Sequence, residues 1–122
     1  RLPAAFDGLR RLIRERGWRI SFPVEVRWAA ADNRWLSTAY GRDTAYIAVH
    51  RYYREDPAEY FDAVEEIMLA HGGRPHWGKL HSLDAAALAP LYPRFGDFQE
   101  LRNELDPGRS FSNDYLDRVL GP

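Results

Sequence analysis

Cysteine is missing from all 122 residues. That absence excludes a disulfide framework, a thiol nucleophile and a thiolate-bound metal. Long apolar runs are missing too. No stretch approaches the ~20 residues that a helix needs to cross a bilayer, and no signal peptide is visible. Neither sign of charge is in surplus. Lys and Arg total 17 against 18 acids, a formal net charge of -1, which gives no electrostatic reason to expect nucleic acid or an anionic membrane. Repeats and low-complexity tracts are absent as well. The chain opens on Arg1-Leu2-Pro3 without a methionine and runs straight into a helix-like segment, so the expectation is a fragment or processed product. What is present suffices for a core. The hydrophobic share is 45% and the aromatic share 14%, over a length that suits a single domain or part of one.

Periodicity sets the order of elements. "AAFDGLRRLIRERG" brings Phe6, Leu9, Leu12 and Ile13 to one side and covers the other with arginines, which predicts an amphipathic helix that stops at Gly17. "WRISFPVEVRWAA" (18–30) and "TAYIAVHRYY" (44–53) are rich in branched and aromatic residues and predict two strands. Pro23 marks an edge, a bulge or the start of the first. Asp56-Pro57 opens a second helix with Phe61, Val64, Ile67 and Met68 on one side. A short helix after Ser82-Leu83-Asp84, another carrying Phe95, Phe98, Leu101 and Leu105, and a last turn or two in "SNDYLDRVLG" complete the chain. This order predicts an α+β fold, an antiparallel sheet with packed helices. A sheet of only two strands is marginal alone, so further strands are expected in the irregular parts or from another segment of polypeptide.

Between the second and third helices lies "GGRPHWGK". It fits G-x-x-x-x-G-K, but a phosphate loop needs Ser or Thr after the lysine and free N–H groups between a strand and a helix N-terminus. Leu80 follows Lys79, Pro75 has no N–H, and a helix precedes the loop, so no nucleotide is expected. The stretch does place an imidazole, an indole and an amine (His76, Trp77 and Lys79) behind a rigid proline, a combination that on a tight loop points to function. The plain alternative is a structural loop in which Trp77 plugs the core and Lys79 is solvated.

Alternation along the strands supplies further candidates. Val24 and Val26 share one face; Glu25 and Arg27 share the other. From spacing alone the charged pair reads first as a surface ion pair of little energetic worth. Functionally, Arg27 can hold a substrate oxygen while Glu25 orients it or accepts a hydroxyl hydrogen. In the second strand Ala45, Ile47 and Val49 face the core, and Tyr46, Ala48, His50 and Tyr52 face away. His50 offers a ring donor or acceptor of the kind used in proton transfer, though a half-exposed structural histidine is the commoner case. His71, His76 and His81 recur every five residues, off any single helix face and without an H-E-x-x-H pattern, so no metal site is expected.

"VEVRWAAAD", "WLSTAYGRDTAYIAVHRY", "GGRPHWGKLH" and "LYPRFGDFQELRNELDP" followed by "FSNDYL" together resemble the C-terminal part of the sugar-1,4-lactone oxidases. These are the D-arabinono-1,4-lactone oxidases, the L-gulonolactone oxidases and dehydrogenases and the related alditol oxidases, flavoproteins of the vanillyl-alcohol-oxidase superfamily. The resemblance covers nearly all of the chain after Gly17. It implies that residues 1–122 are a portion of the substrate domain, and that FAD is bound mainly by an N-terminal domain absent from this sequence. It also implies roles residue by residue. Glu25 and Arg27 match the E-x-R pair that lines the substrate pocket, and His50 matches the histidine that approaches the reacting carbinol. Lys79 matches the lysine that reaches the substrate hydroxyls, and His76 the histidine beside the flavin. Tyr52 stands where alditol oxidases carry a smaller polar residue, which favours a lactone over an open-chain polyol.

The implied reaction is oxidation of an aldono-1,4-lactone beside its carbonyl, with hydride passing to flavin. Alternatives are an alditol oxidase, or a non-catalytic binding or folding module. The chain alone is expected to be inactive. It is expected to be cytoplasmic or membrane-peripheral, and to self-associate through an exposed apolar face that includes Trp28, Trp35 and Trp77.

Overall fold

The computed structural model describes residues 1–122. Five helices and one two-stranded antiparallel sheet make an α+β fold. They are α1 (Leu2–Glu15), β1 (Glu25–Ala29), β2 (Thr44–Ala48), α2 (Ala58–Ala70), α3 (Ala85–Leu88, continued by a 3₁₀ turn Ala89–Leu91), α4 (Phe95–Leu105) and α5 (Asp114–Leu120).

Local chemistry explains the helix ends. Gly17 (φ 64°) and Gly72 (φ 72°) lie in the left-handed region just past α1 and α2. After α2 the Gly73 N–H reaches the Met68 carbonyl at 2.7 Å and the Gly72 N–H reaches Leu69 at 2.8 Å. This is a Schellman pairing, which satisfies carbonyls that the helix leaves open. The same pattern closes α1, with Trp18 N–H to Ile13 and Gly17 N–H to Arg14. At the other ends, Asp84 caps α3 by accepting from the Ala87 N–H and Asn113 caps α5 by accepting from the Leu116 N–H, each at 2.9 Å. Such caps contribute about 1 kcal/mol each.

The strands pair in a register that sets Glu25 opposite Ala48, Val26 opposite Ile47 and Arg27 opposite Tyr46. Both strands are shorter than their apolar runs predict. β1 begins only after Pro23, and β2 ends at Ala48, which leaves His50 and Tyr52 outside the sheet. The register carries the reason. Continued outward it sets His50 opposite Pro23, and proline has no N–H to give the ladder. No third strand forms; the 30–43 segment adds one isolated bridge, Asp32 to Tyr40.

Two apolar clusters hold the chain together. The first joins α1, α2 and the core face of the sheet: Leu9, Tyr60 and Val64 are buried, with Leu12, Ile13, Val24, Ile47, Val49, Phe61 and Met68 packed around them. The second is helical. Leu83, Leu88, Tyr92, Phe95, Val119 and Leu120 are buried, and Leu36, Leu69, Trp77 and Tyr115 lean on them. Fully burying one such side chain is worth ~1.5–3 kcal/mol. Helix α2 is the shared wall, sending Val64 and Met68 to one cluster and Leu69 to the other.

Two expectations are corrected. Trp77 is not on an exposed apolar face; it packs against the second cluster. Trp35 is half-buried beneath the Arg94 guanidinium, 4.6 Å from its ring centre, so of the three tryptophans only Trp28 is open, at 72% exposed. On α4, Phe95 and Phe98 reach the core but Leu101 and Leu105 remain exposed.

Candidate active site

The loop after α2 is built from its root outward. Its two glycines serve the helix end. A Cβ at Gly73 would lie 2.7 Å from the Met68 carbonyl oxygen, and the N–H groups of residues 71–73 are engaged with α2 carbonyls. The glycine amides are therefore not free to cradle a phosphate, and the Ser or Thr that such a loop needs is missing.

Arg74 then turns inward. Its Nε donates to the Leu91 carbonyl at 2.8 Å, and its Nη1 lies within reach of the carbonyls of Tyr40 (2.9 Å), Thr38 (3.2 Å) and Ser37 (3.5 Å). The guanidinium also stands 5.0 Å from the centre of the Tyr92 ring. Burial, and the charge of Arg42 nearby, pull the Arg74 pKa below the ordinary arginine value. Tyr92 is pushed up to about 12, chiefly by burial, so its hydroxyl stays neutral at any ordinary pH. Trp77 packs tilted against Tyr92, ring centres 5.2 Å apart, and donates its Nε1–H to the Leu36 carbonyl at 2.8 Å. The loop is therefore bolted to the 36–40 segment. That segment is tied to the sheet through the Thr38 and Tyr46 hydroxyls, 2.7 Å apart, and Tyr46 belongs to the same sheet face as Arg27.

The tip of the loop is different. His76 is exposed, and its Nδ1 accepts from the Gly78 N–H at 3.0 Å, which leaves Nε2 free. The Lys79 N–H donates to the His76 carbonyl at 3.0 Å. The Lys79 side chain is exposed and makes neither a hydrogen bond nor an ion pair. Beside it lies a cleft of about 430 Å³ lined by Trp77, Gly78, Lys79, Leu80 and Tyr115. Lys79 is the single lysine among 17 basic residues. That count separates it from sixteen arginines, and it was available in the sequence as a signal. An ammonium can act as a mobile point charge or lose its proton on burial, which a guanidinium does not do.

On the sheet, Glu25 and Arg27 do share a face and form an ion pair, Nη2 to Oε2 at 2.7 Å. Arg27 is 73% exposed, so the pair adds little to stability and its remaining donors are open to a ligand. His50 is exposed, its ring tilted against Phe22 at 6.3 Å. Tyr52 is 39% exposed and edge-on to Tyr53 at 4.9 Å. No hydrogen bond or ion pair joins His50, Tyr52, His76 or Lys79 to the Glu25–Arg27 pair. The structure brings two of the candidates into contact, places two more on one turn, and leaves the others apart on the surface. Nowhere do three or more His, Asp or Glu side chains converge in a metal-binding group. No helix is long and apolar enough to cross a membrane.

Residue pattern alone does not single out Arg74, whose role depends on carbonyls brought from distant segments. The Tyr115–His81 pairing, described below, is equally silent in the sequence, where His81 is weighed only as a metal ligand, because the pairing arises only when α5 packs beside the loop.

A family model described as D-arabinono-1,4-lactone oxidase matches residues 1–119. Among curated proteins, the chain is 56% identical over 111 residues to an L-gulono-1,4-lactone dehydrogenase of Mycobacterium tuberculosis, covering 91% of this chain and 26% of that protein. It is 45% identical over 106 residues to an L-gulonolactone oxidase of Scyliorhinus torazame, covering 84% and 24%. It is 42% identical over 99 residues to an alditol oxidase of a Streptomyces species, covering 79% and 23%. The chain thus spans about a quarter of the length of these relatives.

Proposed function

The chain belongs to the D-arabinono-1,4-lactone oxidase family, and from that premise we propose that it forms one wall of the substrate pocket of an FAD-dependent enzyme that oxidises an aldono-1,4-lactone beside its carbonyl. In this reading residues 1–122 are the C-terminal portion of the substrate domain, and the cofactor is held mainly by polypeptide outside them. The observation that carries it is Lys79: the one lysine, unpartnered, at the tip of a loop whose root is fixed by Arg74 and Trp77. A cation left free on an anchored turn suits a group that must meet a ligand oxygen.

Oxidising the carbinol removes a hydride from carbon and a proton from oxygen. When bound, the flavin supplies the hydride acceptor. The residues of this chain deal with the oxygen. Lys79 and Arg27 stabilise negative charge as it develops there. Glu25 holds Arg27 in place through the 2.7 Å ion pair and accepts a hydrogen bond from a second hydroxyl. His50 or Lys79 takes the proton, and Tyr52 closes the pocket against longer, open-chain substrates. His76, with Nε2 free, fits the flavin edge. The residues here suit that contact alone, since the amides of the glycine pair are committed to α2.

The relation to a Streptomyces alditol oxidase supports a second reading, in which the substrate is an open-chain polyol. One experiment addresses both. The full natural polypeptide is purified with its flavin and titrated without oxygen against L-gulono-1,4-lactone, D-arabinono-1,4-lactone and xylitol, following flavin absorbance. Bleaching by a lactone at concentrations where xylitol is inert supports the first reading. Bleaching by xylitol in preference supports the second. A spectrum unmoved by all three would refute both.

A further inference from the structure

The cleft beside Lys79 has one lining residue from a distant part of the chain: Tyr115, on α5. The Tyr115 hydroxyl donates to the Trp77 carbonyl. With its proton engaged there, the same oxygen can only accept from the His81 ring, whose Nε2 lies 3.1 Å away. His81 is therefore protonated on Nε2, which leaves Nδ1 bare, and Nδ1 is buried without a partner. A neutral ring fits such a site, because a second N–H would have nothing to donate to.

The charged groups that face this ring are Arg118 on α5 and Glu65 on α2. Arg118 also donates to the carbonyls of His81 (3.2 Å) and Leu83 (2.7 Å) and stands 5.3 Å from the centre of the Tyr115 ring. Burial and Arg118 lower the His81 pKa, against the opposing pull of Glu65. Glu65 in turn accepts from the Ser82 N–H at 3.1 Å, so the residue that follows His81 is tied down.

The Trp77–Lys79 turn is thus fastened at four points. The Trp77 indole is held by Leu36, its carbonyl by Tyr115, the Gly78 N–H by the His76 ring and the Lys79 N–H by the His76 carbonyl. The Lys79 amine itself makes no hydrogen bond or ion pair. Two of these fastenings come from His76 in the loop itself, and a third from the Leu36 carbonyl in the 36–40 segment. The Tyr115 bond is the one that reaches the tip from another helix.

We propose that Tyr115, held by His81, is a positioning residue: it fixes the turn that carries Lys79 and so sets where the amine meets the reacting oxygen. The proposal rests on the role given to Lys79 above. Its scale follows from the sensitivity of such geometry, since displacement of a catalytic group by ~1 Å can cost ~100-fold in rate.

The test uses Tyr115→Phe, Lys79→Met and the double variant, each in the full natural polypeptide with its flavin. Two quantities are read: amide hydrogen exchange across residues 76–80, and the rate of flavin reduction at saturating L-gulono-1,4-lactone. Tyr115→Phe should speed exchange in that segment and slow reduction by ~10-fold. Lys79→Met should slow it by ~100-fold, and the double variant should be no slower than Lys79→Met, because Tyr115 acts through that amine. Losses that multiply in the double variant, or exchange at 76–80 unmoved by Tyr115→Phe, would overturn the proposal. If Lys79→Met leaves the rate intact, the role of Lys79 fails, and with it the catalytic half of this proposal; exchange then decides whether Tyr115 holds the turn. Should Tyr115→Phe not fold, His81→Phe removes the donor while keeping a ring, and the same two readouts apply, with exchange again the deciding one.

Discussion

Arg74 and Lys79 are two cations on one loop, and the molecule treats them in opposite ways. Arg74 reaches backbone carbonyls of four residues and covers the Tyr92 ring. The Lys79 amine forms no ion pair and donates no hydrogen bond. The guanidinium suits the first task because its rigid fork meets several acceptors at once; the ammonium suits the second because it stays mobile and hydrated. The contrast shows how the loop is divided. Its root belongs to the fold, joining the helical cluster to the 36–40 segment, and its tip is left open to solvent, where the proposed function puts it to use.

That division is open to being broken by mutation. The largest effect on stability should come from Arg74→Ala. It strands the carbonyls of Leu91 and Tyr40 and removes the charge over Tyr92, for an expected loss of ~3 kcal/mol. Urea unfolding measures it, and a loss under ~1 kcal/mol would mean that water replaces the guanidinium at small cost. Arg74→Lys should recover little, since one ammonium does not span carbonyls on two segments.

A middle effect concerns the region between root and tip. His81 has its pKa lowered in the folded chain, by burial first and Arg118 second. The unfolded chain then binds more protons below the ordinary histidine value of about 6.5, so stability rises with pH across that window and falls as pH drops through it. Asp32 and Asp106 are also held below the usual carboxylate range, mainly by the Ser37 hydroxyl and by the Phe111 N–H. Their contribution is lost only at much lower pH. Mild acid should therefore weaken the wild type, and His81→Phe should flatten that limb of the profile. An unchanged limb would relocate the sensitivity to another histidine.

Legibility in the sequence follows the same boundary between local and assembled features. The helix stop at Gly17, the helix start at Asp84 and the Glu25–Arg27 face could be read because each is decided within a few residues. The strand ends could not. Whether β2 continued to His50 and Tyr52 depended on what lay opposite, and the register put Pro23 there. Trp77 could be read as a core plug or as surface, and its indole bond to Leu36 decided for the core. The contacts of Arg74 and Tyr115, and the pairing of Tyr115 with His81, could not be read from spacing, since the partners come from segments far along the chain. Lys79 is the exception: its solitude among arginines was in the composition throughout.

The smallest effect on stability is expected at that residue, and it is the sharpest side of the comparison. Lys79→Met keeps much of the side chain's bulk and removes a charge that has no partner, so the unfolding free energy should stay within ~0.5 kcal/mol of wild type. The direct test of the account is stopped-flow reduction of the flavin by L-gulono-1,4-lactone in this variant, made in the full natural polypeptide. The account predicts a rate lowered by ~100-fold or more, the scale of losing one oxyanion donor, with flavin content and thermal midpoint unchanged. A rate equal to that of the wild type would contradict it and return Lys79 to the status of a solvated loop residue.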